Sequence, residues 1–148
     1  MKAERLKRAQ ILESEGDSPD WGPNGQLVFV KSNDLWIRKA AGQVRRLTNT
    51  PWSERDPAWS PAGTWIAYSA DRYGSWDLFV TATTGGTPVQ VTKDERDETS
   101  PSWSDDGETI MYEVYTWSES EFWIATSLPD FTTPVSQHTW SQVKRMYR

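Results

Sequence analysis

"ERDPAWSPAG", residues 54–63, decides how this chain folds, because the chain writes it again on either side. "DSPDWGPNG" at 17–25 and "ETSPSWSDDG" at 98–107 keep three residues at the same offsets. They are Pro19, Trp21 and Gly25, then Pro57, Trp59 and Gly63, then Pro101, Trp103 and Gly107. The steps between prolines are 38 and 44 residues. A period of that size marks stacked structural units, none of which buries its apolar surface alone.

After each Gly comes a strand-like run: "QLVFVKS" at 26–32, "TWIAYSA" at 64–70 and "ETIMYEVYTW" at 108–117. A second run opens with an acid: "DLWIRKA" at 34–40, "DLFVTAT" at 77–83 and "EFWIATS" at 121–127. A third follows, "VRRLT" at 44–48, "PVQVT" at 88–92 and "PVSQH" at 134–138. Turn residues separate the runs, among them Asn24-Gly25, Gly42, Gly85-Gly86 and Pro129-Asp130. With the short Pro-x-Trp strand, each repeat has four strands. Runs such as "LVFV" and "WIAY" are apolar without alternation, the pattern of strands covered on both faces. Four short strands per repeat, covered on both faces, predict an all-β fold of three four-stranded antiparallel β-propeller blades, a partial propeller with the Pro-x-Trp strands innermost. The expected blades are 17–53, 54–96 and 97–140. A basic segment at 1–16, helical or extended, precedes them, and a basic tail at 141–148 follows.

Composition bounds the function. The chain has 148 residues, net charge −5, no Cys and ten Trp. Its mean hydropathy is −0.75. Disulfides and thiol chemistry are excluded, and no apolar run is long enough to span a bilayer as a helix. The start "MKAERLKRAQ" has the charge of a signal peptide but no apolar stretch behind it. Both ends are net basic, through Lys2, Arg5, Lys7, Arg8, Lys144, Arg145 and Arg148, and the residues between them are net acidic. That distribution argues against nucleic-acid binding, which needs a basic face. It leaves the ends as frayed termini or as tethers to an acidic neighbour or an anionic surface, with peripheral membrane association through a larger complex as a further expectation.

The string "PAWSPAGTWIAYSADRYGSWDLFVTATTGGTPVQVT" at 57–92 resembles the WD40-like (PD40) repeat of TolB-type propellers. That family reads roughly Pro-x-Trp-Ser-Pro-Asp-Gly, an apolar strand, Ser-x-Arg-x-Gly, Asp-Leu-Tyr-Val, Gly-Gly and Leu-Thr. The middle repeat matches along nearly its whole length. The first shortens the loop before Asp34, and the third replaces it with "TWSES". The resemblance implies a propeller, commonly six-bladed, used for binding in the bacterial envelope, and hence a periplasmic or envelope setting. Similar blades serve as non-catalytic gates on prolyl oligopeptidase-type proteases and occur in tricorn-type proteases.

Repeat position assigns most of the aromatic residues. Trp21, Trp59 and Trp103 are expected to pack blade on blade, as are Trp36, Phe79 and Trp123 on the third strand. Asp34, Asp77 and Glu121 are expected to accept backbone N–H groups in turns. Trp65, Trp76 and Trp117 fall outside the strictest pattern and are the candidates for stacking on a sugar or anchoring a partner. "SADRYGSW" at 69–76 resembles the Asp-box of sialidase propellers, a turn staple rather than a catalytic feature.

No catalytic motif emerges. His138 is the single His, and no Gly-x-Ser-x-Gly elbow accompanies it. "DERDE" at 94–98 and "DDGE" at 105–108 lack calcium-loop spacing and are expected to be solvated loop faces. The expectation is no enzyme, no cofactor and no metal.

Three blades do not close a ring. A face exposing roughly 500 Å² of apolar area forgoes on the order of 12 kcal/mol at about 25 cal/mol per Å². The open blade faces therefore predict a covering protein partner, a second copy completing six blades, or further chain, with Val28 and Ile110 expected on the contact faces. The functional expectation is a non-enzymatic binding or scaffolding module, a structural subunit of a larger assembly. The alternatives are a fragment of a propeller-bearing peptidase or hydrolase and a carbohydrate-binding propeller.

Overall fold

The computed structural model describes residues 16–115 and 120–126. It contains three antiparallel sheets in chain order and, among the described residues, no α-helix. The first sheet is β1 (Gly16–Trp21), β2 (Leu27–Lys31), β3 (Asp34–Arg38) and β4 (Val44–Arg46). The second is β5 (Glu54–Trp59), β6 (Trp65–Ala70), β7 (Asp77–Ala82) and β8 (Val89–Gln90). The third is β9 (Asp97–Trp103), β10 (Thr109–Tyr115) and β11 (Ser120–Thr126). Its expected fourth strand at 134–138 lies outside the described residues, as do residues 1–15 of the basic N-terminal segment and the basic tail at 141–148. Each sheet is a meander in which sequence neighbours are spatial neighbours. The Pro-x-Trp strands β1, β5 and β9 form the inner edges and pack on one another, β1 on β5 and β5 on β9.

The inner strands share a local device. Ser18, Asp56 and Ser100, each just before the repeated Pro, have φ of 45°, 52° and 54°. At the same places the register slips, between Asp17 and Asp20, between Arg55 and Ala58, and opposite Met111–Glu113. Proline cannot donate to a ladder, so the strand bulges where it sits. A bulge plus a proline also blunts the inner edge against pairing with another strand.

Two cores lie in the seams between blades. The first joins Val28, Val30, Leu35 and Ile37 of blade 1 to Trp59, Ile66, Tyr68, Ala70 and Phe79 of blade 2. The second joins Ala67, Leu78 and Val80 of blade 2 to Ile110, Tyr112, Val114 and Ala125 of blade 3. Blade 2 thus sends Ile66, Tyr68 and Ala70 of β6 back to blade 1 and Ala67 forward to blade 3, as period-2 alternation requires. This explains the unbroken apolar runs. It also corrects the expectation for Val28 and Ile110. Both are fully buried in internal seams, not on an open face.

Candidate functional site

The three Pro-x-Trp segments line an open cleft of about 650 Å³. Gly22 and Pro23 border it from blade 1, and Ser60 and Pro61 from blade 2. Its polar side chains serve the fold. Asp20 Oδ2 accepts the Trp59 backbone N–H at 2.8 Å, and Ser60 Oγ accepts that of Trp65 at 3.0 Å. The cleft is lined by the rings of Trp21, Trp59 and Trp103, by proline surfaces and by short polar side chains.

Two of the repeated Trp residues, Trp59 and Trp103, seat on the preceding blade. Trp59, 6% exposed, presses so closely on blade 1 that a Cβ at Gly22 would stand 2.5 Å from its ring. Trp103 packs against the second core and donates its indole N–H to the Ala58 carbonyl at 3.0 Å. Trp21 has no preceding blade among the described residues and is 63% exposed. On the third strands, Phe79 is buried and stacks with Tyr68, ring centroids 5.9 Å apart. Trp36 is half-buried and donates to the Lys31 carbonyl at 3.1 Å. Trp123 packs on the second core, donates to Glu121 Oε2 at 2.8 Å and lies under the Arg96 guanidinium.

Of the three aromatics outside the pattern, Trp76 is half-buried, with the Arg55 guanidinium 3.8 Å from its ring centroid. Its backbone N–H reaches Asp97 and its carbonyl accepts the Glu98 N–H, so it belongs to the seam between blades 2 and 3. Trp65 is half-buried at the start of β6. Trp117 lies outside the described residues, with His138 and the tether residues Lys2, Arg5, Lys7, Arg8, Lys144, Arg145 and Arg148. In the Asp-box-like loop, Asp71 accepts the Ser53 N–H at 2.8 Å, a staple between loops.

The seams contain a carboxylate feature that repeat reading had not singled out. Glu54 and Glu98 each stand three residues before the repeated Pro and reach back toward the preceding blade. Glu54 Oε2 accepts the Leu35 N–H at 3.2 Å and the Thr48 hydroxyl, while Oε1 accepts the Thr50 hydroxyl at 2.8 Å. Burial pushes its carboxyl above the usual range, and the three hydrogen bonds pull the other way. Asp34 accepts the Thr50 N–H at 3.1 Å and the Arg46 guanidinium, anchoring the same loop. In the next seam Asp77 accepts the Asp94 N–H and Gln90 Nε2, both at 3.3 Å, and burial raises its carboxyl to about 6. Glu98 is 0% exposed, so the expectation of a solvated face for residues 94–98 fails there. The cause is the repeat: Glu98 begins an inner strand, whereas Asp105, Asp106 and Glu108 are exposed in a turn.

Blade 3 carries the open face. Met111, Phe122 and Ile124 stand at the repeat positions of Ala67, Leu78 and Val80, as shown by the shared pairings Met111↔Ile124 and Ala67↔Val80. The blade 2 residues are fully buried beneath blade 3, whereas Phe122 is 69% exposed and Met111, Tyr115 and Ile124 are exposed with it.

Comparison with known proteins agrees with this architecture. Over 115 residues, 65% of the chain, the sequence is 31% identical to the uncharacterized peptidase YuxL of Bacillus subtilis (strain 168), of which it spans 17%. A solved structure assigned to TolB of Agrobacterium tumefaciens superposes with a TM-score of 0.71 at 17% identity, covering 78% of this chain and 48% of that one. The β-propeller domain of the Trilobed protease from Pyrococcus furiosus, described as having an open velcro topology, gives 0.57 at 16% identity, covering 74% and 38%. The chain thus spans less than half the length of each of these proteins. The model of the tricorn protease N-terminal beta propeller domain matches residues 19–139, four-fifths of the sequence, and the chain belongs to that family.

Proposed function

We propose that the chain is a non-catalytic propeller segment that binds protein, acting as a scaffolding module within a larger assembly. The observation that supports this most is the face of blade 3. Its Met111, Phe122 and Ile124 occupy positions that blade 3 itself seals in blade 2. Apolar positions that a repeat fold buries at one seam and exposes at the next have the chemistry of a protein contact. The partner this face fits is a sheet presenting aromatic and aliphatic side chains, as blade 3 presents Ile110, Tyr112 and Val114 to blade 2. The test is analytical ultracentrifugation of the purified chain, alone and with each partner under trial. Association should be lost in Phe122→Glu and retained in a control at exposed Glu108. A monodisperse 17 kDa species that binds nothing through this face would refute the proposal.

A second reading is favoured by the 31% identity to a peptidase. The segment would then belong to the accessory propeller of a peptidase and act on substrate access rather than on bond cleavage. Its test is peptide hydrolysis by the chain alone and in a full-length polypeptide. Turnover confined to the longer protein, with size selection altered by Trp21→Ala, supports it. Turnover by the chain alone refutes both readings.

A further inference from the structure

The two seams are built on one plan but differ at one position. Thr92 corresponds to Thr48, and its Oγ1 accepts the Leu78 N–H at 2.8 Å, as Thr48 Oγ1 accepts the Leu35 N–H at 2.8 Å. Asp77 corresponds to Asp34, and Glu98 to Glu54. Thr50, whose hydroxyl donates to Glu54, is replaced by Asp94. A donor has become a carboxylate.

Glu98 registers the change. It is fully buried, and among the described residues its carboxyl oxygens make no well-formed hydrogen bond; the Thr92 hydroxyl is the side-chain donor within its reach, and nothing stands in for the Thr50 donor. The charged groups around it come from each neighbouring element. Asp77 stands at the head of β7, and Asp94 and Arg96 in the loop before β9. Lys93 acts on Asp77 from that same loop, and Tyr112 of β10 faces Glu98 from its own blade. Arg96, whose guanidinium acts on Glu98, is committed elsewhere: it clamps Asp94 through Nε and Nη2 and stacks over Trp123. A buried carboxylate short of the donor that its counterpart Glu54 has, beside two further carboxylates, is strongly disfavoured as an anion.

We propose that Glu98 is seated as the neutral acid, and that its proton takes the place of the missing Thr50-type hydroxyl. The seam between blades 2 and 3 is therefore a proton-dependent latch, whereas the seam between blades 1 and 2, with Glu54 fully hydrogen-bonded, is not. The sign follows from linkage. Glu98 titrates near 8 in the closed seam, against an ordinary 4.5 when the seam opens. The latch is fully present below the ordinary carboxyl range and is lost as pH rises through about 8. In between, the closed-to-open ratio falls about tenfold per pH unit. Release of blade 3 would bare Ala67, Leu78 and Val80 of blade 2.

The experiment is amide hydrogen exchange on the full chain from pH 5.5 to 7.5, with protection referred to intrinsic exchange at each pH. Amides of β9 and β10 should lose about a hundredfold protection over that range while those of β2 and β3 hold steady. Glu98→Gln should flatten the β9–β10 response, and Asp94→Thr should reduce it. Parallel behaviour of blades 1 and 3, or an unchanged slope in Glu98→Gln, overturns the proposal. A measurement free of mutation accompanies these: carbon-13 NMR titration of the Glu98 carboxyl in the wild-type chain. A midpoint well above the ordinary range supports the latch, and one within it refutes the latch.

Discussion

Gly22→Ala isolates the fit of one blade on the next. Gly22 has φ −85° and ψ 171°, extended backbone open to any residue, so the substitution adds no backbone strain. The cost is steric. The new Cβ would stand 2.5 Å from Cδ2 and Cε2 of Trp59 and 3.0 Å from Cε3. Carbon atoms rest about 3.5–4.0 Å apart, so the indole must withdraw by about 1 Å or more. Trp59 is wedged among Val28, Ile37 and Ile66, which limits that movement. Overpacking of this kind costs about 1–3 kcal/mol, and replacing glycine returns about 0.4–1 kcal/mol by restricting the unfolded chain. The expected net loss is about 1–2 kcal/mol. With an m-value of about 2 kcal/mol/M, the urea midpoint falls by about 0.5–1 M. Repeating the change in a Trp59→Leu background, which removes the ring, should leave little penalty. An unchanged midpoint, or an equal loss in both backgrounds, would show that Trp59 does not seat on Gly22 as described.

Leu78→Ala removes a fully buried side chain from the second seam and should cost about 2–5 kcal/mol, read by thermal or urea unfolding. A cost below about 1 kcal/mol would mean that the seam is not packed. Glu54→Ala takes the carboxylate acceptor from two threonine hydroxyls, while the Leu35 N–H keeps Thr48 Oγ1, and should destabilise by about 2–4 kcal/mol. Thr50→Val, which removes one donor, should cost less. Asp77, raised to about 6, favours the neutral form in the fold, so its contribution is complete below its ordinary value near 3.8 and lost as pH rises through 6. Asp77→Asn should therefore flatten the stability profile between about pH 4 and 6 in urea melts, and an unaltered profile would contradict the assignment.

The blades themselves were legible in the residues. Pro19, Pro57 and Pro101 with their paired Trp and Gly repeat at a blade-sized spacing, and the unbroken runs of β2 and β6 announce strands covered on both sides. Local chemistry suffices for this, because turns, β-branched residues and a proline-induced bulge act over a few positions. The face each side chain takes was not legible. Val28 and Ile110 looked like outward apolar residues and are internal, because in a strand covered on both sides apolarity no longer marks a side and a one-residue offset reverses it. The carboxylates followed the same rule: "DERDE" reads as one acidic loop, yet its last member, the second residue of β9, is fully buried while its first pairs with Arg96. Sequence alone determined the repeat, the strand content and which positions are equivalent, since these are properties of short segments. Only the tertiary structure decided that Glu54 has two threonine donors while Glu98 lacks the second, and that Trp59 is sealed while Trp21 is exposed. Those differences depend on which neighbour stands across the seam, and that neighbour is set some forty residues away along the chain.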